Sequence, residues 1–266
     1  MRDITFHSRA LNREMQYRVF LPEKVGAGKL PVVYLLHGGG GSYRDWSNYS
    51  YVAEFAADGL LLVMPQGDNS YFTNAVQPPQ DRYEDYIISD LAADIESRFP
   101  ARTDRDGRAI VGVSMGGIAA VRLALVHPER FAFAGAISPA IDVPRRRFSW
   151  RRLEQSRRFE KLFGPDDSET RRNNDPFFLA PRSDPKTLPY FYLVCGKQES
   201  LNAPNREFAD LLKKSGIAHE FYAVSGGHEW PRWDDDLYRL FPALRKHLQL
   251  DTVRNTTESR PIAPGV

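Results

Sequence analysis

RAIVGVSMGG, residues 108–117, joins a run of apolar residues to a glycine-flanked serine and then to a segment with helical spacing. Within it, Gly112, Ser114 and Gly116 make the pattern G-x-S-x-G. A serine used as a nucleophile at a strand-to-helix turn sits on strained backbone with its hydroxyl exposed, and glycines two before and two after it leave room for close packing. A five-residue match arises often by chance. Its place on a strand-to-helix junction at mid-chain is what gives this one weight.

The sequence on either side repeats the same alternation. PVVYLLHG (31–38) and LLLVMP (60–65) are continuous apolar runs, as expected of strands buried on both faces. RAIVGVS (108–114), FAFAGAIS (131–138), YFYLVCG (190–196) and HEFYAVSG (219–226) continue the series. Residues 2–8 and 13–21 instead alternate polar and apolar, which predicts an antiparallel hairpin at a sheet edge. Helical spacing occupies 47–58, 83–98, 116–127, 204–215 and 234–248. The alternation predicts an α/β fold with about eight strands, mostly parallel, and helices on both faces. Residues 1–250 read as one domain, with 140–187 as a small cap insertion rich in Pro and Arg. Residues 251–266 are polar and Pro-containing and read as a mobile tail.

Chemistry in such sheets gathers at the carboxyl ends of the strands. A serine hydroxyl needs a base, and imidazole is the side chain suited to that at neutral pH. Of the six histidines, His228 alone follows the last strand in a glycine-preceded loop. His7, His37, His127, His219 and His247 read as structural. The acid that orients the imidazole is expected between serine and histidine in chain order, after the penultimate strand, where YFYLVCGKQESL offers Glu199. Asp142, Asp166, Asp167 and Asp175 in the cap read as surface charge and stand as alternatives. Two backbone N–H donors are needed for the oxyanion, and Met115 and Gly39 are the candidates, with Gly38 adjacent. Trp46, Phe148, Trp150 and Trp230 are the aromatics expected near a substrate pocket, or else packing residues.

Composition narrows the partners. The 266 residues carry 36 Lys and Arg against 34 Asp and Glu, a formal net charge of +2, so nothing global points to nucleic acid or an anionic membrane. No run approaches the length of a transmembrane helix, and residues 1–22 have scattered charges without an apolar core, so the expectation is a cytoplasmic protein. The single cysteine, Cys195, reads as a small core residue. HEWPR (228–232) lacks the second histidine of a zinc motif, and no phosphate-binding glycine pattern is complete, so no metal and no cofactor are implied. Seven of the chain's arginines fall between Arg145 and Arg158 beside a single Glu. That cluster reads as a solvated helix face, or as a holder for a substrate carboxylate or phosphate.

LLHGGGGSYRDW, GVSMGG, CGKQESL and GGHEWPRW together resemble the esterase D-type branch of the α/β-hydrolases, over roughly residues 3–248. That branch includes bacterial tributyrin esterases, S-formylglutathione hydrolases, feruloyl esterases and antigen 85 mycolyltransferases, and the tributyrin esterases are most similar. The resemblance implies an α/β-hydrolase fold with Ser114 as nucleophile, His228 as base, and Met115 with Gly39 as oxyanion donors. The family has aspartate where this chain has Glu199, and glutamate serves in other hydrolases of the fold. The implied activity is a serine carboxylesterase acting on a small-molecule, short-chain acyl ester. Its rivals are an S-formylglutathione hydrolase-like thioesterase or acyltransferase, and a non-catalytic hydrolase-fold binding module. A homo-oligomer is left open.

Overall fold

The apolar runs become neighbours in one eight-stranded sheet of order β1-β2-β4-β3-β5-β6-β7-β8. The computed structural model describes residues 1–24 and 28–250, so the polar stretch at 251–266 lies outside the described residues. The strands are β1 (Arg2–Ser8), β2 (Arg13–Phe20), β3 (Val32–Leu36), β4 (Leu61–Pro65), β5 (Arg108–Val113), β6 (Phe133–Ile137), β7 (Tyr190–Gly196) and β8 (His219–Val224). β1 pairs antiparallel with β2, β2 pairs antiparallel with β4, and every later pairing is parallel.

Every residue of β3, β4, β5 and β6 is buried, because helices cover both faces. Side chains alternate between the faces along each strand. Val32, Tyr34 and Leu36 join one core, while Val33 and Leu35 join the other. The helices are α1 (Asp45–Tyr49), α2 (Tyr83–Asp85), α3 (Ala92–Arg98), α4 (Met115–Val126), α5 (Leu153–Phe163), α6 (Glu169–Arg172), α7 (Pro176–Leu179), α8 (Asn202–Lys214) and α9 (Trp230–His247). α4 and α8 bring Ile118, Leu123, Phe208 and Leu212 to the first core. α1 and α9 bring Trp46, Trp233, Leu237 and Leu240 to the second.

Several local expectations need correction. β8 is an edge strand with only intermediate and exposed residues, not one buried on both faces, because β7 is its sole neighbour in the sheet. The helix expected at 47–58 splits into α1 and a 3₁₀ turn at Val52–Asp58, which ends on Gly59 at φ 83°. The final helix starts at Trp230 rather than 234, with Pro231 in its first turn, where a missing N–H leaves no bond unmade. Between α2 and α3 the helix widens into a π turn at Tyr86–Leu91.

Between β6 and β7 the chain leaves the sheet and forms α5, α6 and α7 with short 3₁₀ turns. Phe159 and Phe163 on α5 meet Tyr71 edge-on, with ring centroids 5.9 and 5.6 Å away. This segment therefore packs against the loop that follows β4.

Candidate active site

β5 ends at Val113 and α4 begins at Met115, leaving Ser114 alone on the turn at φ 53°, ψ −110°. A non-glycine residue in that region costs on the order of 1–3 kcal/mol and persists only where the surroundings enforce it. Here they do. A Cβ on Gly112 would lie 2.1 Å from the Gly116 carbonyl oxygen, and one on Gly116 would lie 2.3 Å from that of Leu36. The Ser114 N–H donates to the Ile137 carbonyl (2.9 Å), and the Ser114 carbonyl accepts from Gly117 and Ile118.

The loop after β8 brings His228 over this serine. Gly226, at φ 113°, makes the bend, and its N–H donates to the Gln198 side chain (2.6 Å), tying this loop to the one after β7. The Ser114 hydroxyl and His228 Nε2 are 2.9 Å apart, and His228 Nδ1 is 2.6 Å from Glu199 Oε2. An ionised carboxylate only accepts, so Nδ1 carries the proton and Nε2 is left to accept from the serine. Trp233 meets the imidazole edge-on at 4.7 Å.

Glu199 sits in the turn after β7 with its side chain 2% exposed. Its Oε1 accepts from the Ser138 hydroxyl (2.5 Å), the Gly196 N–H (2.8 Å) and Arg232 Nη2 (2.7 Å). Burial, the largest influence, pushes the carboxyl up, yet the hydrogen bonds from His228, Ser138 and Gly196 and the Arg232 charge hold it below the usual range. Glu199 is therefore an anion at neutral pH. The cap acids do not compete. Asp142 pairs with Arg146, Asp166 with Arg171 and Asp167 with Arg147, while Asp175 caps α7 by accepting from the Phe177 N–H.

On the other side of Ser114 lies the glycine run. Gly41 N–H turns back to the Gly38 carbonyl (3.2 Å), and Gly40 N–H donates to Asn69 Oδ1 (2.7 Å). A Cβ placed on Gly38 would touch the Ser114 Cβ at 3.7 Å, and one on Gly39 the Met115 Cβ at 3.9 Å. Met115 opens α4, so its N–H has no intrahelical acceptor. No backbone carbonyl among the described residues accepts from Gly39 N–H. His37 locks this loop to its neighbour, donating from Nδ1 to the Gly38 carbonyl (2.7 Å) and accepting at Nε2 from Gly67 N–H (2.9 Å). Burial holds the His37 pKa below its ordinary value. It is a neutral pin of the loop, not a second base.

The aromatic candidates separate. Trp46 is fully enclosed in the core beneath α9, edge-on to Trp230 at 5.3 Å, so as a substrate-binding residue it is corrected to a packing one. Trp150 is 80% exposed, with Phe148 as its ring neighbour at 5.1 Å, and nothing places it beside Ser114. Trp230 is half-buried and packs on Trp233, the ring that touches His228. The arginine cluster is partly neutralised, since Arg145 pairs with Glu207 while Arg146 and Arg147 pair with Asp142 and Asp167. An open cavity of about 300 Å³ lies among Arg145, Arg147, Arg171 and Asp167, and its lining excludes Ser114 and His228. Among the described residues no group of three or more His, Cys, Asp or Glu side chains is placed to share a metal, and no helix is long and apolar enough to cross a membrane.

Four residues that sequence reasoning passed over complete this geometry: Asn69, Ser138, Arg232 and Asp236. Asn69 and Ser138 both follow a strand's carboxyl end, the one signal available for them. Arg232 stood in view only as the residue that spoils a zinc motif.

A strained serine between β5 and α4, beside a histidine on the loop after the last strand, on a sheet of this order, defines an α/β-hydrolase. Residues 8–244 match the family described as "Putative esterase", and the chain belongs to that family. It is 25% identical to an acetyl esterase of Caldicellulosiruptor saccharolyticus over 91% of this chain and 97% of that one. Its fold is shared with the fluorophosphonate-binding serine hydrolase F of Staphylococcus aureus, at TM-score 0.79 and 24% identity, covering 92% of this chain and 97% of that one. An S-formylglutathione hydrolase from Agrobacterium tumefaciens also superposes at TM-score 0.79, with 23% identity over 93% and 94% of the two chains.

Proposed function

We propose that this esterase hydrolyses small, short-chain acyl esters through Ser114, His228 and Glu199. The observation that carries the reading is the hydrogen-bond sequence from Ser114 Oγ through both His228 nitrogens to Glu199 Oε2. Ser114 Oγ attacks the ester carbonyl while Nε2 takes the hydroxyl proton. The tetrahedral oxyanion forms against the N–H groups of Met115 and Gly39. As it collapses, the imidazolium gives its proton to the leaving alcohol, and an acyl-serine remains. Water, deprotonated by His228, then releases the acid and restores the serine. Glu199 stabilises the imidazolium and holds Nδ1 protonated throughout.

No step calls for a metal or an organic cofactor. The preference for a short acyl chain is supported by the similarity to an acetyl esterase. A thioester whose thiol carries acidic groups finds less support, because Arg145, Arg146 and Arg147 already face acids.

The test is a p-nitrophenyl ester series from acetate to dodecanoate, run on wild type and Ser114→Ala. The reading expects a serine-dependent rate that peaks at short chains. Equal rates in the two proteins, or a maximum at the long chains, would overturn it.

A further inference from the structure

Behind Glu199 lies a second buried carboxylate that the hydrolytic steps do not use. Asp236 on α9 is 1% exposed, and Arg232, one turn earlier on the same helix, pairs with its Oδ2. The other oxygen, Oδ1, has no hydrogen-bond partner among the described residues. Burial pushes this carboxyl up to about 6. A buried acid so poorly served serves mainly to neutralise the guanidinium beside it.

Arg232 makes four different contacts. Its Nε donates to the Gly227 carbonyl (2.6 Å), the residue before His228. Nη1 donates to Asp236, and Nη2 to both Ser138 Oγ and Glu199 Oε1. Ser138 is saturated in turn, since its hydroxyl donates to Glu199 and accepts from Arg232 and from Trp233 Nε1 (3.2 Å). One planar cation therefore touches the loop carrying the histidine, the carboxylate orienting that histidine, and the serine that donates to that carboxylate. A Cβ on Gly226 would lie 2.6 Å from the Arg232 side chain, so the bend that delivers His228 is packed directly on it.

Resting on the proposed roles of Ser114, His228 and Glu199, we infer that Arg232, with Asp236 as its counter-charge, is a positioning residue that sets His228 over Ser114 by clamping Gly227 and Glu199 together. Lysine cannot take its place, because an ammonium lacks the flat fork that reaches four acceptors at fixed angles. The longer acid suits the clamp: Oε1 of Glu199 is given over to Arg232, Ser138 and Gly196, leaving Oε2 for the imidazole.

The clamp also acts through charge. The charged groups around the pair are Glu199 after β7, Arg232, Asp235, Asp236 and Arg239 on α9, and the Cys195 thiol on β7, which burial keeps protonated. Asp236 balances the Arg232 charge, so removing the aspartate alone leaves a buried cation beside Glu199 without its counter-ion.

The experiment measures kcat and KM separately for p-nitrophenyl acetate in Arg232→Lys, Asp236→Asn and the double variant Arg232→Met/Asp236→Asn, with Ser114→Ala alongside. The double variant removes the cation without stranding its partner. It is expected to lose roughly 100-fold in kcat with KM nearly unchanged. Arg232→Lys loses roughly 10-fold in kcat and Asp236→Asn, which keeps the guanidinium, loses less than the double variant, with KM nearly unchanged in both. Wild-type kcat across the series, or a loss carried by KM instead of kcat, with Ser114→Ala inactive, would overturn the positioning role and leave the esterase reading intact. An active Ser114→Ala would instead remove the reading on which the role rests. If the double variant fails to fold, Arg232→Lys decides the question, and a wild-type kcat in that protein would overturn the positioning role.

Discussion

Replacing Glu199 by glutamine tests the orienting role at constant size. Glu199 Oε1 accepts three donors and Oε2 accepts one, from His228 Nδ1 at 2.6 Å. An amide brings an NH₂ that accepts nothing, and either placement sets it against a donor. Placed at Oε1, it opposes Ser138, Gly196 and Arg232 at once. Placed at Oε2, it opposes only the histidine, so this orientation wins. His228 then takes its other tautomer, donating from Nε2 toward Ser114, and can no longer accept the hydroxyl proton. Losing the correct tautomer in a serine triad costs about 10⁴ in kcat, equivalent to about 5 kcal/mol of barrier. The assay is steady-state kcat on p-nitrophenyl acetate for Glu199→Gln, with a thermal melt to confirm that the protein folds. A folded variant within tenfold of wild-type kcat would remove Glu199 from the orienting role and return it to another acid.

Asn69 fixes the glycine loop by accepting from Gly40 N–H, so Asn69→Ala is expected to lower kcat roughly 10-fold while Asn69→Asp, which keeps the acceptor, retains most activity; equal loss in both would contradict a loop-fixing role. Gly116→Ala forces a Cβ into the Leu36 carbonyl and is expected to destabilise by at least about 1–3 kcal/mol, read as a lowered melting temperature or loss of soluble protein; an unchanged melt would contradict the packing described. Glu84 is pushed up by burial but held at about 2 by Arg122 and His127. Its contribution of about 3 kcal/mol is present above pH 4.5 and lost as pH falls toward 2. Denaturant unfolding at pH 7 and pH 3 should therefore show a smaller acid loss in Glu84→Gln than in wild type, and equal losses would remove Glu84 as the cause.

The sheet was legible because parallel strands covered on both faces leave uninterrupted apolar runs, as in Val32–Leu36 and Leu61–Pro65. Edge and interior are harder to separate. HEFYAV opens on His219 and Glu220 but then runs apolar like its neighbours, and the strand order settles that β8 has one partner. The serine and histidine stood out by motif and chain order, and Glu199 as the one acid in its loop; the structure brings these three side chains together. Trp46 was not readable, since an indole beside a glycine loop packs inward or lines a pocket with the same composition. Arg232, Ser138 and Asp236 were hidden for a different reason. Their contacts join β6, the β7 loop and α9, so no local spacing records them, and the cap arginines likewise gave no sign of their acidic partners.

If the triad works as described, one serine carries the chemistry. Wild type and Ser114→Ala would be treated with a fluorophosphonate, with intact mass, peptide mapping and residual esterase activity followed together. The account predicts a single adduct on Ser114, activity lost in step with its formation, and neither adduct nor turnover in Ser114→Ala. An adduct at another residue with activity abolished, or ester hydrolysis persisting in Ser114→Ala, would contradict it.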